Sequence, residues 1–274
     1  MIYNSIAQDT LKILAESLDD LEGQRKATDN RIRSLRQVYG YTDDEDDTPE
    51  MARLQAIADG ITQLEAMATL DLKRALRAHP LGSWVKATAG IGEKTGARLL
   101  AAIGDPSWNT LHGRPRTVSE LWAFCGYHVI DGAAARRRKG EKANWSNDAK
   151  MRAFLCAEAA IKVGVRKTDD ADDSDGYDLA HRQALTRYGQ VYLDGRAKYA
   201  GSVHPTPCHR CTAAGQPPAE VGTPRSAAHQ HAMAVRLVAK EILRDLWGEA
   251  TALGAGHPRH DAPTGTAGAM AVAS

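Results

Sequence analysis

Cys208-His209-Arg210-Cys211 sets two thiols at the spacing of a metal-binding knuckle. His204 lies just upstream, and His229-Gln230-His231 follows after Pro217, Pro218 and Pro224. Two thiolates hold half of a tetrahedral zinc site, and two imidazoles complete it. The expected ligand set is Cys208, Cys211, His229 and His231. Zinc held there would be structural, stapling the proline-rich loop 201–225 to the start of the last helix. The single residue between His229 and His231 is tighter than the spacing of about three to five usual in zinc fingers. A pair of free thiols in a loop stays open as the alternative. A redox C-x-x-C asks for a βαβ setting, and no such pattern surrounds this one.

A second constellation suits polyanions. Gly90-Ile91-Gly92 brackets one apolar plug between two stretches of helical pattern, and Lys94 and Arg98 follow four apart on one helix face. Glycines admit a closely approaching strand, and the open amides of a helix start favour phosphate. This is the pattern of a helix-hairpin-helix, which grips DNA backbone. Further on, Arg136-Arg137-Arg138-Lys139 and then Lys142 fall in a segment, Tyr127 to Ser146, that reads as irregular or hairpin-like. Adjacent cations repel unless a polyanion or solvent screens them. The expected DNA contacts are therefore Gly90, Ile91, Gly92, Lys94, Arg98, Arg136, Arg137, Arg138, Lys139 and Lys142. The alternatives are a plain helix-helix turn and a solvated charge patch.

These residues must be positioned by helices. Aromatics are 5% of the 274 residues, with only two Phe, so the core is built from Leu, Ile, Val and Ala. The pattern is mainly α. Residues 5–38 form a long helix whose Leu11, Leu14, Leu18, Leu21, Ile32 and Leu35 keep a heptad frame, with Arg25 and Thr28 interrupting it. The acidic run Tyr41–Glu50 breaks it. A second helix from Thr48 or Pro49 carries Leu54, Ile57, Ile61 and Leu64, and the two fold back as an antiparallel hairpin or coiled coil. Thr117-Val118-Ser119-Glu120 is a capping box, and Ser146 caps a helix through Ile161. Further helices span 177–199 and 226–250. Cys125 and Cys156 fall inside helical pattern as packing residues. The division is 1–80 hairpin, 81–166 helix-hairpin-helix domain, 167–253 C-terminal helices with the Cys/His loop, and a disordered tail 254–274.

Charge is uneven. Residues 1–81 carry 10 basic and 15 acidic side chains, and residues 82–166 carry 14 basic and 7 acidic ones. The polyanion partner belongs to the middle third. No apolar run approaches the roughly 18 residues of a membrane span, and no signal peptide is visible, so the expected compartment is the cytoplasm.

The order of these parts resembles the C-terminal part of the insertion-sequence transposases whose N-terminal half is a RuvC-like DEDD nuclease and which use a bridge RNA. The resemblance rests on a coiled-coil hairpin, then Gly90-Ile91-Gly92 with Ala97-Arg98-Leu99-Leu100-Ala101-Ala102-Ile103-Gly104-Asp105. An aromatic short helix ending at Gly126, a basic loop and Lys150-Met151-Arg152-Ala153-Phe154-Leu155 complete it. It covers roughly residues 50–165, with a looser echo from His229 to Trp247 carrying Arg236, Lys240 and Arg244. It implies DNA as partner and admits RNA. The family's nuclease half has no counterpart here, since the first 80 residues read as helical. Where the family has a Ser-Gly step before the basic loop, this chain has Asp131-Gly132, and Ser146 sits at a helix cap. No catalytic residue is assigned. The expectation is a DNA-binding protein of a phage or mobile element, related to a transposase C-terminal domain and dimeric through its N-terminal hairpin. The alternative is an active transposase or recombinase that borrows a nuclease or uses an unrecognised nucleophile.

Overall fold

The computed structural model describes residues 5–40, 48–130, 133–136, 140–168 and 177–255. Most of the acidic run 41–50, the Asp131-Gly132 step, Arg137, Arg138, Lys139 and the tail beyond 255 lie outside them.

The chain is mainly helical. α1 (Ser5–Tyr39) and α2 (Pro49–Ala78) form the expected antiparallel hairpin. Thr48 starts α2 by accepting a hydrogen bond from the Met51 amide, and Pro49 fills the first turn, where its missing N–H costs nothing. The α1 frame is buried within the chain: Leu11 and Leu18 pack in one cluster with Leu72 and Leu76 of α2. Its polar interruption is also explained, because the Arg25 Nε donates to Glu65 Oε2 of α2 at 2.6 Å.

The seam expected on α2 splits: Leu54 and Ile61 are half-buried on the packed side, and Ile57 and Leu64 are off it. Met51, Ala58, Leu72 and Leu76 are buried and Leu54 packs beside them, whereas Ile57 and Leu64 face solvent. Apolar residues occupy two adjacent faces of α2, and α1 takes the face whose C-terminal leucines meet Leu11 and Leu18.

Two short helices make the glycine hairpin, α3 (Gly82–Ala87) and α4 (Glu93–Ile103). Ile91 plugs the turn at 4% exposure. α5 (Val118–Phe124) has the capping box read from the sequence, with Thr117 and Glu120 bonded reciprocally. α6 (Asn147–Gly164) is capped by Ser146, whose Oγ accepts from the Ala149 amide at 3.1 Å. α7 (Arg187–Tyr199) and α8 (Ala227–Ala255) pack closely on each other and on α6. Among the described residues, three two-stranded antiparallel ribbons decorate the helices: β1 (Trp108–Asn109) with β2 (Arg114–Pro115), β3 (Val129–Ile130) with β4 (Ala133–Ala134), and β5 (Val165–Lys167) with β6 (Arg182–Ala184). The helix expected over 177–199 therefore begins only at Arg187. Thr186 accepts from the Gly189 amide and starts it there, and the preceding residues pair as β6 instead.

One apolar core runs from Leu11 of α1 through Leu100, Leu121 and Cys156 to Leu246 of α8. Cys125 and Cys156 are fully buried in it, and burial pushes both thiols up to about 12. They are packing residues.

Gly90 is held by this core. Its φ is +86°, and a Cβ there would stand 2.6 Å from the Ala160 Cα of α6. Gly90→Ala meets both a left-handed backbone and a backbone neighbour that cannot rotate away. It should cost at least about 2 kcal/mol in urea unfolding. A Gly92→Ala control, with φ −69° and nothing within 4 Å of the new methyl, should cost much less.

Candidate metal centre and basic groove

The knuckle is built by the chain between α7 and α8. The His204 amide donates to the Thr223 carbonyl at 2.9 Å, and Cys208 and Ala219 exchange two backbone hydrogen bonds at 3.0 Å each. A single 3-10 turn, His209–Cys211, then brings Cys211 back toward the start of α8.

His204, Cys208, Cys211 and His229 converge, with one ligand atom from each lying within 4.8 Å of the others. His229 Nδ1 is 3.7 Å from Cys208 Sγ and 3.3 Å from Cys211 Sγ. A zinc tetrahedron with Zn–S of about 2.3 Å and Zn–N of about 2.0 Å has edges of roughly 3.3–3.8 Å. Two further observations fit a metal. His204 is 1% exposed, and its Nε2 is buried with no hydrogen-bond partner. A ligand position would relieve that cost. Burial alone would raise the Cys211 thiol, but hydrogen bonds from the Ser226 side chain and amide outweigh it and favour the thiolate. His229 is pushed down to about 4, mainly by burial and then by Arg210 and Arg225, so it is a neutral imidazole fit to ligate.

The expected set was Cys208, Cys211, His229 and His231. His231 is corrected to His204. Both C-terminal histidines lie in the first turns of α8. Two residues apart on a helix are roughly 200° apart around its axis, so they cannot share one site. His231 instead points to α6 and α7, with Nδ1 2.8 Å from the Tyr192 hydroxyl and Nε2 3.3 Å from Glu158 Oε1.

Two cations of the glycine hairpin, Lys94 and Arg98, are occupied internally. Lys94 is ion-paired to Glu22 of α1, and lies 3.8 Å from Glu65 of α2. Arg98 is 3.0 Å from both Asp19 and Glu22, with its side chain only 11% exposed. Burial would raise the Glu22 carboxyl, but Lys94 and Arg98 hold it below its ordinary range. Glu93 sits at the α4 N-terminus, where its negative charge offsets the helix dipole, and is bonded to Arg77 at 2.9 and 3.1 Å. Gly90 faces the backbone of α6, as described above. Acidic side chains of α1 and α2 thus take up Lys94 and Arg98, and α6 backs Gly90, while Gly92 is exposed.

A different surface is basic and open. A groove of about 570 Å³ runs between the β4 end, α6, the knuckle and α8. Arg136, Lys150, Arg210 and Arg236 line it with Tyr127 and Phe154, and among the described lining residues there is no Asp or Glu. Arg236 braces the wall: its Nη2 donates to the His128 carbonyl at 2.8 Å, and its guanidinium lies over the Tyr127 ring. Lys150 lies over the Trp145 indole at 4.9 Å. His128 is held below its ordinary value, first by burial and then by Arg236 and Lys150. Of the expected DNA contacts, Arg136 is exposed in this groove and Lys142 is exposed on the adjoining loop. Arg137, Arg138 and Lys139 lie outside the described residues. Lys150, Arg210 and Arg236 line the same groove and are not among the residues expected from the sequence. Arg210 carried a signal, since it stands between the two metal-site cysteines.

No family model matches the chain, and no curated protein or solved structure matches it either. Among the described residues, no helix is long and apolar enough to cross a membrane.

Proposed function

We propose that this chain is a DNA-binding protein that holds the phosphate backbone in the groove between α6, α8 and the knuckle. The observation that carries this reading is four cations converging with aromatic side chains on a groove whose described lining residues include no carboxylate. Arg136, Lys150 and Arg210 meet phosphates. Arg236 shapes the wall, and exposed Met151 and Phe154 give apolar contact at the rim. Backbone contact of this kind is strong without reading bases. Zinc held by His204, Cys208, Cys211 and His229 fixes the turn that presents Arg210. The resemblance to transposase C-terminal domains supports a role in a phage or mobile element, with cytoplasmic DNA as substrate.

Fluorescence anisotropy on a labelled duplex tests this. Affinity should fall steeply with salt and vary little with sequence. Absence of binding at low salt would leave a helical scaffold. Single-stranded RNA bound in place of duplex, with the same salt slope, would move the reading to RNA.

Ser146 bears on the recombinase alternative. Its hydroxyl is committed to the Ala149 amide at the start of α6. Ser146→Ala should cost about 1 kcal/mol as a lost cap and leave DNA affinity unchanged. Covalent capture of a DNA end by the wild type, abolished in Ser146→Ala, would establish the recombinase instead.

A further inference from the structure

α2 carries two heptad seams. The first packs on α1. The second is one residue earlier along the helix, rotated by roughly 100°, and faces solvent. Its apolar centre is Ile57, Leu64 and Met67, at 58%, 53% and 62% exposure, with Gly60 between them. Its ends are charged: Glu50 and Arg53 at the N-terminal side, Asp71 and Arg74 at the C-terminal side, all exposed.

The spacing from Glu50 to Arg74 alternates three and four throughout, and the stripe is self-complementary when reversed. Antiparallel pairing about position 62 sets Glu50 against Arg74 of a second copy, and Arg53 against its Asp71. Ile57 meets Met67, and Gly60 meets Leu64. Every charge then faces its opposite and every apolar residue faces another or the glycine. Nothing lies within 4 Å of where a Gly60 Cβ would stand, so the surface there is open to an incoming leucine. Parallel pairing would instead set each charge against itself. Asp71 and Arg74 already pair within the chain at 2.8 Å on the exposed face, so the second copy's Arg53 and Glu50 extend an existing ion pair into a network.

We propose that α2 dimerises the protein through this outward stripe, with two copies antiparallel about position 62. This interface is distinct from the α1 leucine frame, which is consumed inside each chain, and it does not rest on the DNA-binding reading.

The test is sedimentation equilibrium of the full chain. A dimer is expected. Leu64→Asp should raise its dissociation constant at least roughly tenfold, because each dimer would bury two carboxylates in an apolar seam. Leu64 is exposed in the single chain, so helicity by circular dichroism should not change. Arg53→Asp alone should weaken the dimer, and Arg53→Asp with Asp71→Arg should restore it, since the swapped charges meet again only in antiparallel register. A wild type monomeric at high concentration would overturn the proposal. So would a dimer indifferent to Leu64→Asp, or a double swap no better than the single change.

Discussion

Chelating the metal should lower the melting temperature by roughly 10 °C. That figure corresponds to about 4 kcal/mol, the stabilisation from a ligand at a thousand times its dissociation constant, spread over a chain of this size. The loss should be large because the loop otherwise rests on two isolated backbone bridges, Val203 with Pro224 and Cys208 with Ala219, and a three-residue 3-10 turn. Unligated, His204 keeps a buried ring nitrogen without a partner. Protein purified without chelator should carry about one zinc per chain. Cys208→Ser and His204→Ala should lose it, and His231→Ala should keep it. The rest of α8 should survive chelation, because Val235, Val238, Ile242 and Leu246 are buried in the common core. Metal retained in His204→Ala and lost in His231→Ala would reverse the ligand assignment. A metal-free protein as stable as the purified one would leave four ligand-type side chains without a metal role.

Replacing Arg136, Lys150 and Arg210 together by alanine should lower duplex affinity on the order of a hundredfold at low salt, uniformly across sequences. The slope of log affinity against log salt should flatten by roughly 3, about 0.9 per phosphate contact removed. Arg236 is spared because its hydrogen bonds to loop carbonyls make it part of the wall. Chelation should weaken binding in the same direction, since Arg210 lies between two ligands. The contrast is Lys94→Ala with Arg98→Ala. Those side chains neutralise Asp19 and Glu22 against α4, so their loss should cost about 1–3 kcal/mol of stability and leave the salt slope intact. A flattened slope in that variant, with folding preserved, would return the contact to the glycine hairpin.

The sequence made helices, caps and the hairpin legible because those signals are local. Thr117 to Glu120, Ser146 and Pro49 act within a turn of themselves. The Cys208–Cys211 knuckle was legible for the same reason. The histidines were harder, because His229 and His231 differ only in the phase of a helix whose start the sequence leaves open by a residue or two. His204 joins them through a backbone bridge to Thr223 that no spacing announces. The cations of α4 read as available because their partners, Asp19 and Glu22, are some seventy-five residues away. Only the folded hairpin brings them together. The basic groove draws on four separate segments, of which a linear charge run marks one. On α2, two adjacent apolar faces gave two equally good seams, and only the packing on α1 decided between them.

The location of bound DNA tests the central claim most directly. A duplex carrying photoreactive groups on its backbone can be cross-linked to the metal-loaded full chain, and the modified peptides read by mass spectrometry. The cross-links should fall on 133–154 and on the peptides holding Arg210 and Arg236. Cross-links confined to Gly90–Arg98, or scattered without preference, would contradict it.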